Sequence, residues 1–153
     1  MKRRRRAREL ALMMLYQIDV SGAETEQAIG RFFTSFDRDE PLDPPPPFAG
    51  PGSRPEPIPP EVREYATVLV RGVGRNLEAL DASIQAVSAH WRLDRMARVD
   101  RNILRLGAFE LLHLGAEVPR NVVINEAVEI AKSFSTAESG AFINGILDRL
   151  GTR

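Results

Sequence analysis

The sequence predicts an all-α fold. Apolar residues recur at three- and four-residue steps through most of the chain, which is the period of amphipathic helices. Ten of the eleven prolines lie between positions 41 and 60, so the helical patterns are interrupted mainly there. A length of 153 residues and a hydrophobic content of 43% suit one domain with a core of its own.

The first helix is predicted to begin inside or just after a run of basic residues. Six of the seven residues from position 2 to position 8 are Lys or Arg. One helical stripe then contains Ala7, Leu10, Ala11, Met14, Leu15 and Ile18. Such a stripe gives the basic run a fixed direction, although a basic run at a terminus can also be a solvated tail.

The charge of the chain is unevenly distributed. Without these six basic residues, 15 Lys and Arg remain against 21 Asp and Glu, so the remainder carries a formal charge of −6. A dense run of arginines favours binding to a polyanion, because each guanidinium can donate two hydrogen bonds to a phosphate or stack on a base. Nucleic acid is therefore the first partner that the sequence suggests.

Two further helical patterns flank residues 41–60. Residues 24–36 carry the stripe Ala28, Ile29, Phe32, Phe33 and Phe36. Residues 61–90 carry Val62, Tyr65, Ala66, Leu69, Val73, Leu77, Leu80 and Ile84. Gly72 lies within the second pattern at a cost in helix stability, and we expect a close helix crossing there. The proline-rich residues 41–60 are expected to form an exposed polyproline or disordered insertion.

The second half is expected to hold three more helices. Residues 93–100 predict a loop or short helix, and residues 101–114 are apolar nearly all round, which is typical of a central helix. After Pro119, Asn121 is a candidate cap for a helix that runs to about residue 134. Ser135 and Glu138 match a capping box for the last helix, with Gly151 as its stop.

The last helix carries a candidate binding surface at its start. Glu138 and Phe142 are four residues apart and therefore neighbours on the helix, away from its inward stripe. Phe142 could accept a stacked base or fill a seam between subdomains. The residues alone leave both interpretations open.

Several classes of protein fit the composition poorly. No cysteine is present for a disulfide framework or a thiol nucleophile, and the two histidines, His90 and His113, show neither metal-ligand nor triad spacing. No apolar run reaches 18 residues and nothing resembles a signal peptide. We therefore expect a soluble, cytoplasmic protein with no cofactor or metal, and a hydrolase or metalloenzyme fits these residues poorly.

Four sequence blocks resemble the NusB family of bacterial transcription antitermination factors. They are Arg-Arg-Arg-Ala-Arg-Glu-Leu-Ala at 4–11, before Leu15 and Tyr16; Leu-Val-Arg-Gly-Val at 69–73; Val-Asp-Arg-Asn-Ile-Leu-Arg at 99–105; and Asn-Glu-Ala-Val-Glu-Ile-Ala-Lys-Ser-Phe at 125–134 with Phe-Ile-Asn-Gly-Ile-Leu-Asp at 142–148. The resemblance covers nearly the whole chain apart from residues 41–60. The last block is the most specific.

The resemblance implies a NusB-like all-α fold of about seven helices in two small packed bundles. The first bundle would comprise residues 1–40 and 61–90, and the second residues 91–153. It also implies a role without catalysis, in which the chain pairs with the ribosomal protein NusE and binds boxA-type elements of ribosomal RNA transcripts. NusA, NusG and RNA polymerase would complete the antitermination complex, and the resemblance leaves monomer and homodimer both open.

The resemblance also implies functional residues. The RNA-binding candidates are Arg3, Arg4, Arg5, Arg6, Arg8, Glu138, Ser139 and Phe142. Asp94 and Asp100 occupy acidic positions that would face NusE. Glu138 could weaken RNA binding by repulsion or accept a hydrogen bond from a base.

Two alternatives use the same residues differently. Helical domains of this type also occur in RNA cytosine methyltransferases, but we expect no room for a cofactor-binding domain in a chain that ends at Arg153. In a pure protein-interaction adaptor, the arginines would contact an acidic partner instead of RNA. An RNA titration with and without the ribosomal partner separates the adaptor from the antitermination factor.

Overall fold

A computed structural model describes residues 2–41, 57–88 and 90–150. Within these ranges the chain forms seven α-helices, one 3₁₀ turn and no β-strand, which confirms the all-α class. The elements are α1 (Lys2–Ser21), α2 (Thr25–Asp37), α3 (Pro60–Arg75), α4 (Leu77–Val87), the 3₁₀ turn (Leu93–Arg95), α5 (Arg98–His113), α6 (Arg120–Phe134) and α7 (Ala137–Leu150). The expected stop at Gly151 and most of the expected insertion lie outside the described residues.

The chain forms two compact units. The first unit is Met1–Arg71 and the second is Gly72–Arg153. The division falls within α3, earlier in the chain than the boundary at residue 90 that we expected from the sequence. The end of α3 and all of α4 therefore belong with α5, α6 and α7.

In the first unit, α1 is buried on more than one face. The expected stripe is buried except for Ile18, which is half-buried. Leu12 is also buried, although it lies on the opposite face of the helix. Helix α2 begins at the predicted place because the Glu24 carboxylate accepts hydrogen bonds from the backbone N–H groups of Glu26 and Gln27.

Helix α3 begins earlier than the proline-rich composition predicts. Pro60 is its first residue, a position that tolerates proline because the missing N–H has no helical partner there. Ile58, two residues before, is 8% exposed and belongs to the core. Arg71 donates two hydrogen bonds to the Glu26 carboxylate of α2 in an ion pair, and these bonds raise the pKa of Arg71.

The predicted continuous helix over residues 61–90 is two helices. The break lies at Asn76, whose side-chain amide donates a 2.8 Å hydrogen bond to the Gly72 carbonyl at the end of α3. The expected close approach at Gly72 is confirmed, because a Cβ atom built there would overlap the ring of Phe109 in α5. A larger residue at position 72 would therefore displace a buried aromatic ring.

Helix α5 is the central helix of the second unit. Nine of its residues are buried, in agreement with its apolar pattern, and it contacts α4, α6 and α7. It begins at Arg98, three residues before the predicted start. Arg105 of α5 and Asp81 of α4 form a largely buried fork with two 2.8 Å hydrogen bonds, which fixes these two helices together.

The start of α6 differs from the prediction. Pro119 occupies the cap position and Asn121 lies inside the helix, so the expected cap by Asn121 was wrong. A backbone N–H at this position would have no partner within the helix. Proline has no backbone N–H, so it is compatible with the position.

Candidate nucleic-acid interface

The arginines of α1 differ widely in exposure. Arg3, Arg4 and Arg5 are exposed and Arg6 is half-buried, whereas Arg8 is only 4% exposed. Helical geometry explains the difference, because Arg8 lies next to the buried Ala7 and one turn before Leu12. Of the five predicted RNA-binding arginines, Arg8 is thus the least accessible to a ligand.

Helix α3 and the segment before it support these side chains. The Arg4 guanidinium carbon lies 3.7 Å from the centre of the Tyr65 ring, a cation–π contact, and the Arg8 guanidinium carbon lies 5.9 Å from it. Arg3 forms an ion pair with Glu61, and Arg6 donates a 2.9 Å hydrogen bond to the Pro57 carbonyl. These contacts hold the cationic groups in defined positions.

The position of the arginines at a helix start reinforces their positive charge. The first turn of α1 contains no acidic residue. The unpaired N–H groups of that turn and the helix dipole also attract anions. Arginine is unfavourable at this end of a helix, so an arriving phosphate would relieve an existing repulsion.

The second group of predicted RNA-binding residues lies at the start of α7. Glu138 is exposed and Phe142 is half-buried, but Ser139 is 6% exposed. The expected capping box of Ser135 and Glu138 was wrong, because Thr136 is the cap residue and its hydroxyl accepts a 3.2 Å hydrogen bond from the Ser139 backbone N–H. The exposed members of this group are thus Glu138 and Phe142.

Asp100 has internal hydrogen-bonding partners. Its Oδ1 accepts a 2.6 Å hydrogen bond from the Ser135 hydroxyl, and its Oδ2 accepts a 3.0 Å hydrogen bond from the Ser139 hydroxyl. Both carboxylate oxygens of this half-buried residue therefore fix the start of α7 to α5. Asp94 is exposed and forms a 3.0 Å ion pair with Arg92, so it offers a carboxylate at the surface.

Phe142 has an aromatic neighbour that the sequence analysis did not predict. The ring centres of Phe142 and Trp91 are 5.6 Å apart, and their planes meet at 80°. Tyr65 is the other unpredicted contributor, since its spacing suggested only a place in the buried stripe of α3. A signal was available for Trp91, because the single tryptophan of the chain follows directly after a helical pattern.

The predicted residues thus form two groups. In the first unit the arginines of α1 share a surface with Tyr65 and Glu61. In the second unit Glu138, Ser139 and Phe142 lie together at the start of α7, and Asp100 is bonded to Ser139. Within the described ranges, no set of three His, Asp or Glu side chains could hold a metal ion, and no helix is long and apolar enough to cross a membrane.

These features define a class of all-helical proteins with a cationic helix start and a separate, partly aromatic helix start. Comparison with known proteins specifies the class. The sequence model of the NusB family matches residues 5–152. The transcription antitermination protein NusB of Anaeromyxobacter dehalogenans is 47% identical over 150 residues, which are 98% of this chain and 91% of the relative.

Solved structures agree with this assignment. The structure of NusB from T. maritima has a TM-score of 0.76 and 32% identity, and the match covers 98% of this chain and 91% of that one. A crystal structure of the antitermination factors NusB and NusE in complex with dsRNA has a TM-score of 0.75 and 27% identity, with 99% and 98% covered. The chain belongs to the NusB family of transcription antitermination proteins.

Proposed function

We propose that this protein is an RNA-binding antitermination factor that uses the exposed arginines of α1 as its main phosphate contacts. The observation that carries the proposal is the exposed cationic start of α1, supported from α3, on a chain that is otherwise acidic. The solved complex of NusB with NusE and dsRNA supports RNA as the class of ligand. The net negative charge of the remainder would disfavour RNA on the acidic parts of the surface.

The residues contribute in different ways. Arg3, Arg4 and Arg5 are exposed and supply charge and flat guanidinium groups, and Arg6 can exchange its carbonyl contact for a phosphate. The buried Arg8 acts mainly by positioning, through its place beside the Tyr65 ring. At the start of α7, Phe142 offers a stacking surface, Glu138 is placed to accept a hydrogen bond from a base, and Ser139 holds the helix start in place.

The preferred RNA is a single-stranded boxA-type element, because unpaired bases expose the faces on which aromatic and guanidinium groups stack. We propose NusE as the direct protein partner, with the exposed Asp94 as the first candidate contact and Asp100 as a support for the neighbouring helix start. NusA, NusG and RNA polymerase would join in the larger complex.

The test is the salt dependence of RNA affinity. The double variant Arg4→Ala and Arg5→Ala removes two exposed charges from α1. If both contact phosphates, the slope of log Kobs against log salt should fall in magnitude by about 1.4, because each phosphate contact with a single strand contributes roughly 0.7. The measurement is a titration of a labelled boxA-type oligonucleotide at several salt concentrations, alone and with NusE.

The matched control is the double variant Arg31→Ala and Arg38→Ala. It makes the same change in net charge within the same unit, on the exposed side of α2 and at its end. Its slope should stay at the wild-type value. An unchanged slope in the α1 variant would contradict the proposal, and no RNA binding with or without NusE would leave the protein adaptor as the function.

A further inference from the structure

Trp91 is an exposed aromatic residue without an assigned role. It is the only tryptophan in the chain, and 61% of its surface is exposed to solvent. It lies between α4 and the 3₁₀ turn, within the second unit. Tryptophan is highly buried on average, and this exposed indole lies beside a second aromatic ring, which makes the position a candidate for binding.

The indole ring is paired with the ring of Phe142. The edge-to-face arrangement, with centres 5.6 Å apart, leaves most of the indole surface accessible. Together the two rings present aromatic groups at a right angle, contributed by the loop after α4 and by the start of α7. A flat ligand that stacks on the indole would also lie close to Phe142.

Hydrogen bonds fix the backbone on which Trp91 is displayed. The Trp91 N–H donates to the Ser88 carbonyl at 2.9 Å, and the Trp91 carbonyl accepts from the Gln85 side-chain amide at 2.8 Å. The Gln85 side-chain oxygen in turn accepts from the Leu93 N–H at 2.8 Å. Gln85 thus bonds to both sides of the turn. Because the backbone at Trp91 is already held in place, less conformational entropy is lost when a ligand binds.

The charges that flank Trp91 in the sequence favour a nucleic-acid base over an apolar peptide. Residues 90–98 contain three exposed arginines, Arg92, Arg95 and Arg98, against the acidic residue Asp94, and the exposed Glu138 lies one turn from Phe142 on α7. An exposed aromatic side chain among arginines is the usual composition of a surface that stacks bases and neutralises phosphates. An apolar partner helix would instead need a wider aliphatic patch.

We infer that Trp91 is a second base-stacking residue beside Phe142, and that the pair holds one unpaired nucleobase of the bound RNA. The inference rests on the proposed RNA-binding function and adds to it a specific contact.

The intrinsic fluorescence of Trp91 provides a direct test, because no other tryptophan contributes to the signal of this chain. A base that stacks on the indole should quench its emission. We expect a single-stranded boxA-type oligonucleotide to quench the wild-type protein with the same midpoint as an independent titration by anisotropy of labelled RNA. A perfect duplex of the same length should quench much less, because its bases are not available for stacking.

Variants separate stacking from simple exposure. Trp91→Ala should weaken binding of the single-stranded RNA roughly five- to hundredfold, and Trp91→Phe should recover much of that loss because it retains a stacking ring. Leu112→Ala is the matched control, since it truncates another large apolar residue of the same unit that is 43% exposed. Thermal melting of each variant verifies that the fold is intact, and Trp91→Phe supplies the blank when NusE is present.

The outcomes distinguish this inference from the proposed function. If the wild type binds RNA but shows no quenching, and Trp91→Ala binds as tightly as Leu112→Ala, the inference is overturned and the proposed function stands. If RNA does not bind with or without NusE, both are overturned. A change in emission caused by NusE alone, with none caused by RNA, would assign the indole to the protein partner and overturn the inference.

Discussion

At the residue scale, Asp100 connects two helices through side-chain hydroxyls. Its two carboxylate oxygens accept hydrogen bonds from Ser135 and Ser139, which flank the start of α7. Asp100 also lies in the first turn of α5, where a negative charge is stabilised by the helix dipole. The side chain of Asp94, the other acidic residue proposed to face a partner, forms an exposed ion pair with Arg92.

We predict that Asp100→Ala lowers the free energy of unfolding by about 1–3 kcal/mol, because two charge-assisted hydrogen bonds in a half-buried site are lost. Asp94→Ala is the control and should change it by no more than about 1 kcal/mol, as expected for a surface ion pair. Urea unfolding followed by circular dichroism measures both. Equal, small effects of the two substitutions would show that the hydrogen bonds from Ser135 and Ser139 to Asp100 do not stabilise the fold.

At the element scale, helix contacts in the second unit depend on two glycines. Gly72 at the end of α3 lies against the Phe109 ring of α5. Gly107 of α5 lies close to Leu147 of α7, where an added Cβ would come within 2.8 Å of a side-chain methyl group. Close contact with α5 therefore requires small residues at these positions, whereas the exposed Gly145 of α7 has nothing within 4 Å of such a Cβ.

We predict opposite effects for two Gly→Ala substitutions. Gly72→Ala should destabilise the protein by roughly 1–3 kcal/mol, because the new methyl group must displace the buried Phe109 ring. Gly145→Ala should stabilise it by up to about 1 kcal/mol, because alanine has the higher helix propensity and meets no neighbour. Denaturant midpoints at constant m-value report both changes, and a neutral Gly72→Ala would argue against tight packing of the Phe109 ring on Gly72.

At the scale of the whole molecule, the last residues of the proline-rich stretch belong to a packed unit. Pro57 accepts a hydrogen bond from Arg6 of α1, Ile58 is buried, and Pro60 starts α3. The last residues of this stretch therefore belong to the first unit and support the helix that carries the arginines. Composition alone suggested that all of residues 41–60 lacked a core.

We predict that Ile58→Ala lowers the free energy of unfolding by about 2–4 kcal/mol, the usual cost of truncating a buried isoleucine. Val20→Ala is the control in the same unit, where the side chain is 37% exposed, and it should change stability by no more than about 0.5 kcal/mol. Chemical unfolding of both variants provides the measurement. A neutral Ile58→Ala would show that the Ile58 side chain does not contribute to the core.

Much of the fold was predictable because helix formation is governed by local patterns. The three- and four-residue spacing located α1, α2, α5, α6 and α7 to within a few residues, and the family resemblance agrees with the family match over residues 5–152. The errors arose where the same sequence pattern was compatible with more than one local structure. One continuous pattern concealed the break at Asn76, and Ser135 and Thr136 were both suitable caps for α7.

The sequence by itself determined the all-α class, the family and the cationic start of α1, since each depends on residues that are close together in the chain. Only the tertiary structure decided that Arg8 is buried, that Asp100 binds the hydroxyls of Ser135 and Ser139, and that Trp91 pairs with Phe142. The physical reason is sequence separation. Contacts between residues 35 to 51 positions apart depend on how the helices pack, and no local periodicity records that packing.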